Sequence, residues 1–149
     1  MELPENAPVR RRQSIEVYAS VHLVWSLMSE IEQWPKWNTD IKSARLLGNL
    51  RPGTTFKWKA GPGTITSTIE AVEPEKMIGW SGKLPGILAV HIWRIEGNNK
   101  KVVVTTEESW SGIVPKLFRK YSEQTLEKAI NDGLLLLKHA AENQYHSHS

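Results

Sequence analysis

At 149 residues with 40% apolar content, the chain can bury one core but is short for two, so a single domain over residues 1–149 is expected. The net charge of +3 is mild, and the one dense basic run, Arg10-Arg11-Arg12, sits at a strand start, unlike the spread basic faces of nucleic-acid binders; no nucleic-acid partner is expected. The absence of cysteine excludes disulfides and thiolate chemistry and suits a reducing compartment, the cytoplasm.

Residues 1–8 hold two prolines and read as a loose end. The stretch Met1-Glu2-Leu3-Pro4-Glu5-Asn6 has neither a basic n-region nor an apolar h-region, so it is not expected to be a secretion signal. No apolar run approaches the ~18 residues that span a bilayer, so stable membrane insertion is not expected. Val9 to Ala19 carries Ile15, Val17 and Ala19 in alternation, the pattern of a strand. Ser20 is an N-cap for a helix over Val21 to Ser29, and Glu30 to Trp37 reads as a second, Pro-interrupted helix. Strands follow at Ile41–Leu47, Thr54–Ala60, Thr64–Val72, Lys76–Ser81, Ile87–Glu96 and Lys101–Trp110, separated by turn signals. Gly61-Pro62-Gly63 is one such turn, and Gly82-Lys83-Leu84-Pro85-Gly86 reads as a loop. Short strands at this spacing predict one curved antiparallel sheet.

After Gly112 the period changes. From Val114 to Asn143 the only proline is Pro115, in a first turn where its missing N–H costs nothing. Leu117, Tyr121, Thr125, Ala129, Gly133 and Leu137 recur at helical spacing and are expected to face inward. About 28 residues at 1.5 Å each give roughly 42 Å, enough to cross a whole sheet. The tail Gln144 to Ser149 reads as a second loose end; its His146-Ser147-His148 is too sparse to be a metal site.

Three tryptophans and a proline crowd the segment Val24 to Asn38, which reads V-W-x-L and then W-P-x-W-N. Trp25, on the stripe with Met28, is expected to be buried under the sheet's end. This segment resembles the START-like (SRPBCC) superfamily, and within it the polyketide cyclase/dehydrase and lipid-transport family. Three further pieces carry the resemblance: Arg51 to Phe56 (R-P-G-T-T-F), Ile69 to Lys76 (I-E-A-V-E-P-E-K) and Val103 to Gly112 (V-V-T-T-E-E-S-W-S-G). It runs from Val9 to Ala141. The resemblance implies an α+β helix-grip fold: a curved antiparallel β-sheet around a long C-terminal helix, with two short helices after the first strand. It also implies an internal apolar cavity between sheet and helix.

Alternation assigns side chains to that cavity. The expected lining is Trp58, Ile69, Trp80, Trp93, Thr106, Glu108 and Trp110 from the strands, with Leu117, Tyr121 and Gly133 from the helix. Catalytic signals are few: there is no phosphate loop, nucleophile elbow or H-E-x-x-H. His91 and Glu108, with Tyr121, are the acid–base candidates; no metal and no cofactor are expected. Three readings follow: a carrier of a small hydrophobic ligand, lipid-like or aromatic; an aromatic polyketide cyclase or dehydratase using the same cavity; and a co-chaperone-like interaction domain. A monomer or homodimer suits any of them.

Overall fold

The computed structural model describes residues 1–147. Seven strands form one sheet: β1 Val9–Val17, β2 Ile41–Leu46, β3 Thr55–Ala60, β4 Thr64–Glu73, β5 Met77–Leu84, β6 Ile87–Gly97 and β7 Val102–Ser111. Their order is β1-β7-β6-β5-β4-β3-β2, and every neighbouring pair is antiparallel. The helices are α1 Val21–Ser29, α2 Trp34–Trp37 after a 3-10 turn at Ile31–Gln33, α3 Ile113–Leu117 and α4 Arg119–Ser147. This is the helix-grip arrangement. Strand limits match expectation to within two residues except at β5, which runs on to Leu84 and makes residues 82–86 part of a tight hairpin.

The alternation fixes the inner face. Phe56, Ser67, Ile69, Ile78, Trp80, Trp93, Ile95, Val104 and Thr106 are all buried on it. At the opposite layer, Ser20 caps α1 by accepting from the Leu23 N–H at 3.1 Å. The other end of α1 leaves carbonyls without an intrahelical partner, as every helix does. Two indoles satisfy them: Trp34 Nε1 donates to Met28 O at 3.1 Å, and Trp37 Nε1 to Leu27 O at 3.3 Å. Trp34 then sits edge-on to Phe56 and Trp58, with centroids 5.6 and 6.1 Å away, and 5.3 Å from Trp80. Trp25 is only half-buried, packed against the rim of this core. The central tryptophan of the segment is therefore Trp34, 5% exposed, not Trp25. Trp34 both packs against the aromatic rings of the sheet and terminates a helix.

The C-terminal helix departs from expectation in phase. Its buried residues are Ser122, Leu126, Ile130, Leu134, Leu137 and Ala141. The expected row kept a strict spacing of four, which advances about 40° around the axis at each step, so it winds off the buried face over several turns. Leu137 is buried, whereas Tyr121, four steps earlier, is 70% exposed. Phe118, with φ −120° and ψ 53°, also breaks the helix after Leu117, so α3 does not continue the phase of α4.

Neither described end is loose. Leu3 packs with Met77 and Ile92 on the outer face of the sheet, and Met1 packs beside them. Gly79 makes this possible: a Cβ there would collide with Met1 Sδ. Arg94 fastens the segment by donating to Met1 O at 2.6 Å. At the other end α4 continues to Ser147, and Tyr145 donates to Asn99 O at 2.9 Å. His148 of the expected tail lies outside the described residues. Glu142 locks α4 to the end of β1, accepting from the Tyr18 N–H at 2.9 Å and from Lys138 at 2.7 Å.

Two predictions follow from this packing. Trp34→Ala should cost about 3–5 kcal/mol in a denaturant melt, and Trp25→Ala clearly less. Partial burial pushes the Glu142 carboxyl up, but the Lys138 ammonium and the Tyr18 N–H outweigh it and hold the pKa below the usual 4.5. A depressed carboxylate stabilises the fold above its unfolded pKa and loses that contribution as pH falls through its folded value. Glu142→Gln should therefore lower stability by about 1–2 kcal/mol at pH 7, with the gap to the parent closing below about pH 4.5.

Candidate functional site

Between α4 and the inner face lies a cavity of about 280 Å³. Its wall includes Trp34, Trp37, Trp58, Trp80, Trp93 and Trp110, six of the seven tryptophans in the chain. Ala129, Ile130 and Gly133 close it from α4, and Met28 from α1. Asn38, Asp40 and Leu84 come from the connections around the sheet's rim. Four of the indoles are pinned through their N–H groups: Trp34 and Trp37 by α1, Trp58 by Ser67 Oγ at 3.1 Å, and Trp110 by Glu108 Oε2 at 2.7 Å. A second, more open hollow of about 470 Å³ runs between α1 and α4, with a mixed lining in which Glu30, Gln33, Lys36, His139, Asn143 and Gln144 stand among Leu23, Leu27, Leu136 and Ala140. Trp37 is the residue shared by both walls.

The polar part of the cavity is built across three adjacent strands. His91 on β6 stands opposite Trp80 on β5 and opposite Glu108 on β7, so the three side chains share one face. His91 Nδ1 lies 2.9 Å from Glu108 Oε1, with both side chains about six-sevenths buried (16% and 14% exposed). Its Nε2 lies 2.7 Å from Thr106 Oγ1. A carboxylate facing Nδ1 makes that nitrogen the N–H donor; in the neutral ring Nε2 then accepts from the Thr106 hydroxyl. The imidazole is also held between Trp80 and Trp93, at centroid distances of 4.8 and 5.7 Å. Every polar atom of His91, and both oxygens of Glu108, are engaged within the protein.

Residues 8–142 match the family described as polyketide cyclase/dehydrase and lipid transport. The chain belongs to this family. No curated protein sequence gives a significant match. Among solved structures, the chain is similar to a hypothetical protein from Helicobacter pylori at 18% identity and a TM-score of 0.81, covering 93% of this chain and 91% of that one. It is similar to the ZhuI aromatase/cyclase from Streptomyces sp. R1128 at 15% identity and a TM-score of 0.74, over 91% and 94% of the two chains. A START superfamily protein from Mycobacterium smegmatis matches at 16% identity and a TM-score of 0.69, over 94% and 99%. Identities this low establish a shared fold.

In this family member the expected lining residues divide into three groups. Trp58, Trp80, Trp93, Glu108, Trp110 and Gly133 line the cavity, together with His91. Ile69 and Thr106 are fully buried on the inner face but sit behind the lining, Thr106 as the partner of His91. Leu117 and Tyr121 are outside it altogether, 66% and 70% exposed, for the reasons of phase given above. Tyr121 is therefore far too exposed to serve as an acid–base group inside the cavity. Trp34 and Trp37 were absent from the expected lining, although their spacing of three, which puts both on one side of a helical turn, carried the signal. Asp40 was also missed. It helps, after the hydrogen-bonding partner Asp132, to hold the Lys128 ammonium above its usual pKa, which places this rim residue close to α4.

Gly133 is not required by close helix–sheet packing: a Cβ built there would meet only Trp93, at 3.9 Å. The missing side chain leaves its volume to the cavity. Gly133→Ala should therefore stabilise the protein by about 0.5–1 kcal/mol, read from thermal melts, because helix propensity improves with no steric penalty.

Proposed function

We propose that this chain binds a small, largely apolar ligand, aromatic or lipid-like, in the cavity between α4 and the sheet, without covalent chemistry. The observation that carries the reading is the concentration of six indoles around one void. Ligand sites are mostly apolar walls with a few placed polar groups, and rigid aromatics supply contact area at little entropic cost. The volume, near the ~300 Å³ lower end of such sites, suits a compact ligand.

The cyclase or dehydratase reading has one specific observation in its favour, the His91–Glu108 pair facing the same cavity. Against it stands the engagement of both His91 nitrogens, so that proton transfer through this imidazole needs one of its bonds exchanged for a bond to substrate. A retained cavity likewise weighs against an interaction domain whose interior has no use.

The test uses β-naphthol and dodecanoic acid as probes of the two ligand classes, followed through indole fluorescence. Binding of either is expected to quench or shift the emission. Gly133→Leu should weaken it by at least about tenfold, or 1.4 kcal/mol, while Gly133→Ala binds nearly as the parent does. Fluorescence unmoved by both probes, or a Gly133→Leu variant that binds normally, would sink the proposal. Turnover of a polyketide-like substrate lost in His91→Ala and Glu108→Gln would instead favour the enzyme.

A further inference from the structure

The passage from α3 to α4 exposes four large apolar side chains within nine residues: Ile113 at 62%, Leu117 at 66%, Phe118 at 60% and Tyr121 at 70%. Side chains this exposed project from the surface instead of lining a groove. The β5–β6 hairpin lies against them, joined by a hydrogen bond from the Val114 N–H to Gly86 O at 3.0 Å. It adds Leu84 and Leu88, exposed to 36% and 40%. Contiguous exposed apolar surface of this kind marks an interaction site.

Charge says what kind. Residues 82–90 and 112–122 contain Lys83, Lys116, Arg119 and Lys120 and no acidic residue, four cations in a chain whose net charge is only +3. The rest of the chain is therefore slightly acidic. The nearest following carboxylate, Glu123, is already held by Arg11 at 3.1 Å and Arg119 at 3.0 Å.

We infer that this surface docks reversibly on an anionic lipid bilayer. A bilayer accepts projecting apolar side chains below its headgroups while cations and the tyrosine hydroxyl stay at headgroup level. A symmetric contact with a second copy would press the same cations against one another. The anchor is shallow: α3 has five residues, and no helix among the described residues is long and apolar enough to cross a membrane. Leu84 ties the surface to the cavity, because it is both exposed here and part of the cavity wall. Docking thus brings the cavity alongside lipid, yet it needs no ligand inside.

The experiment sediments the whole chain with vesicles of phosphatidylcholine alone and of equal parts phosphatidylcholine and phosphatidylglycerol. Binding to the mixed vesicles only, weakened by salt, is expected. Leu117→Ser combined with Phe118→Ser should reduce it at least about tenfold, from the apolar area withdrawn. Lys116→Gln combined with Lys120→Gln should reduce it about twenty-five-fold, at about fivefold per cation. Both pairs are exposed and outside the cavity wall, so melting temperature and β-naphthol quenching should not move. Quenching retained without vesicle binding would overturn the docking alone; vesicle binding without quenching would leave docking standing and remove the cavity reading. Equal binding to neutral vesicles would overturn the inference. So would binding that survives Leu117→Ser/Phe118→Ser, or a concentration-dependent dimer abolished by that pair with no vesicle binding.

Discussion

The hydrogen bond from the Trp34 indole to the Met28 carbonyl is the contact on which the rest of the structure depends. It settles an unpaired carbonyl at the end of α1, a debt every helix end carries. The same bond fixes the plane of an indole that is 95% buried and faces three other aromatic rings. One side chain thus stops a helix, seats the α1–α2 connection on the sheet and forms a wall of the cavity. Pro35 helps from the covalent side. Its fixed φ starts the short helix α2, which brings Trp37 round to the neighbouring carbonyl of Leu27.

Pinned indoles also explain why a void persists among so many large apolar groups. A core of flexible side chains relaxes into empty space, and the cost of a cavity falls as it does so. An indole whose N–H is already bonded has little freedom to move. Four lining tryptophans are fixed in this way, to backbone or to Ser67 and Glu108. Gly133 then withholds a side chain from the one face where the helix would otherwise have filled the gap. The void is held open by rigid walls.

What could be read in the sequence followed the reach of each periodic signal. A strand's period of two holds until a bulge interrupts it, so the inner faces of β3, of β4 up to Ile69 and of β5 to β7 were legible from alternation, His91 and Glu108 among them. The register shift between Ile69 and Ala71 then turns Ala71 to the outer cluster and Val72 inward. A helix has a non-integral period, and a row chosen at a spacing of four loses its face within a few turns. Tyr121 and Leu117 were misplaced for that reason, and the irregular backbone at Phe118 left no pattern to correct them. The docking of Leu3 and Met1 was illegible for a different reason. Its receptor is a notch at Gly79 between Met77 and Ile92, which exists only once β5 and β6 have paired. Trp34 and Trp25 differ by position relative to a helix end, which composition does not encode.

The polar cluster within the cavity bears on how binding and chemistry divide in this fold. His91 is bonded at both nitrogens and flanked by two indole rings; Glu108 is bonded at both oxygens. Such a closed network rigidifies its surroundings, and its members gain nothing by turning toward a ligand. For His91 to do acid–base work, one of its bonds must first be exchanged for a bond to substrate. The most exchangeable is the one from Thr106, since a hydroxyl is neutral and the Glu108 contact is assisted by charge. A ligand able to accept or donate at His91 Nε2 would have to displace Thr106 Oγ1 from 2.7 Å, whereas an apolar ligand asks for no such exchange. The cavity as built therefore favours ligands that leave the cluster intact, and chemistry in it begins with a polar group placed to compete for that one nitrogen.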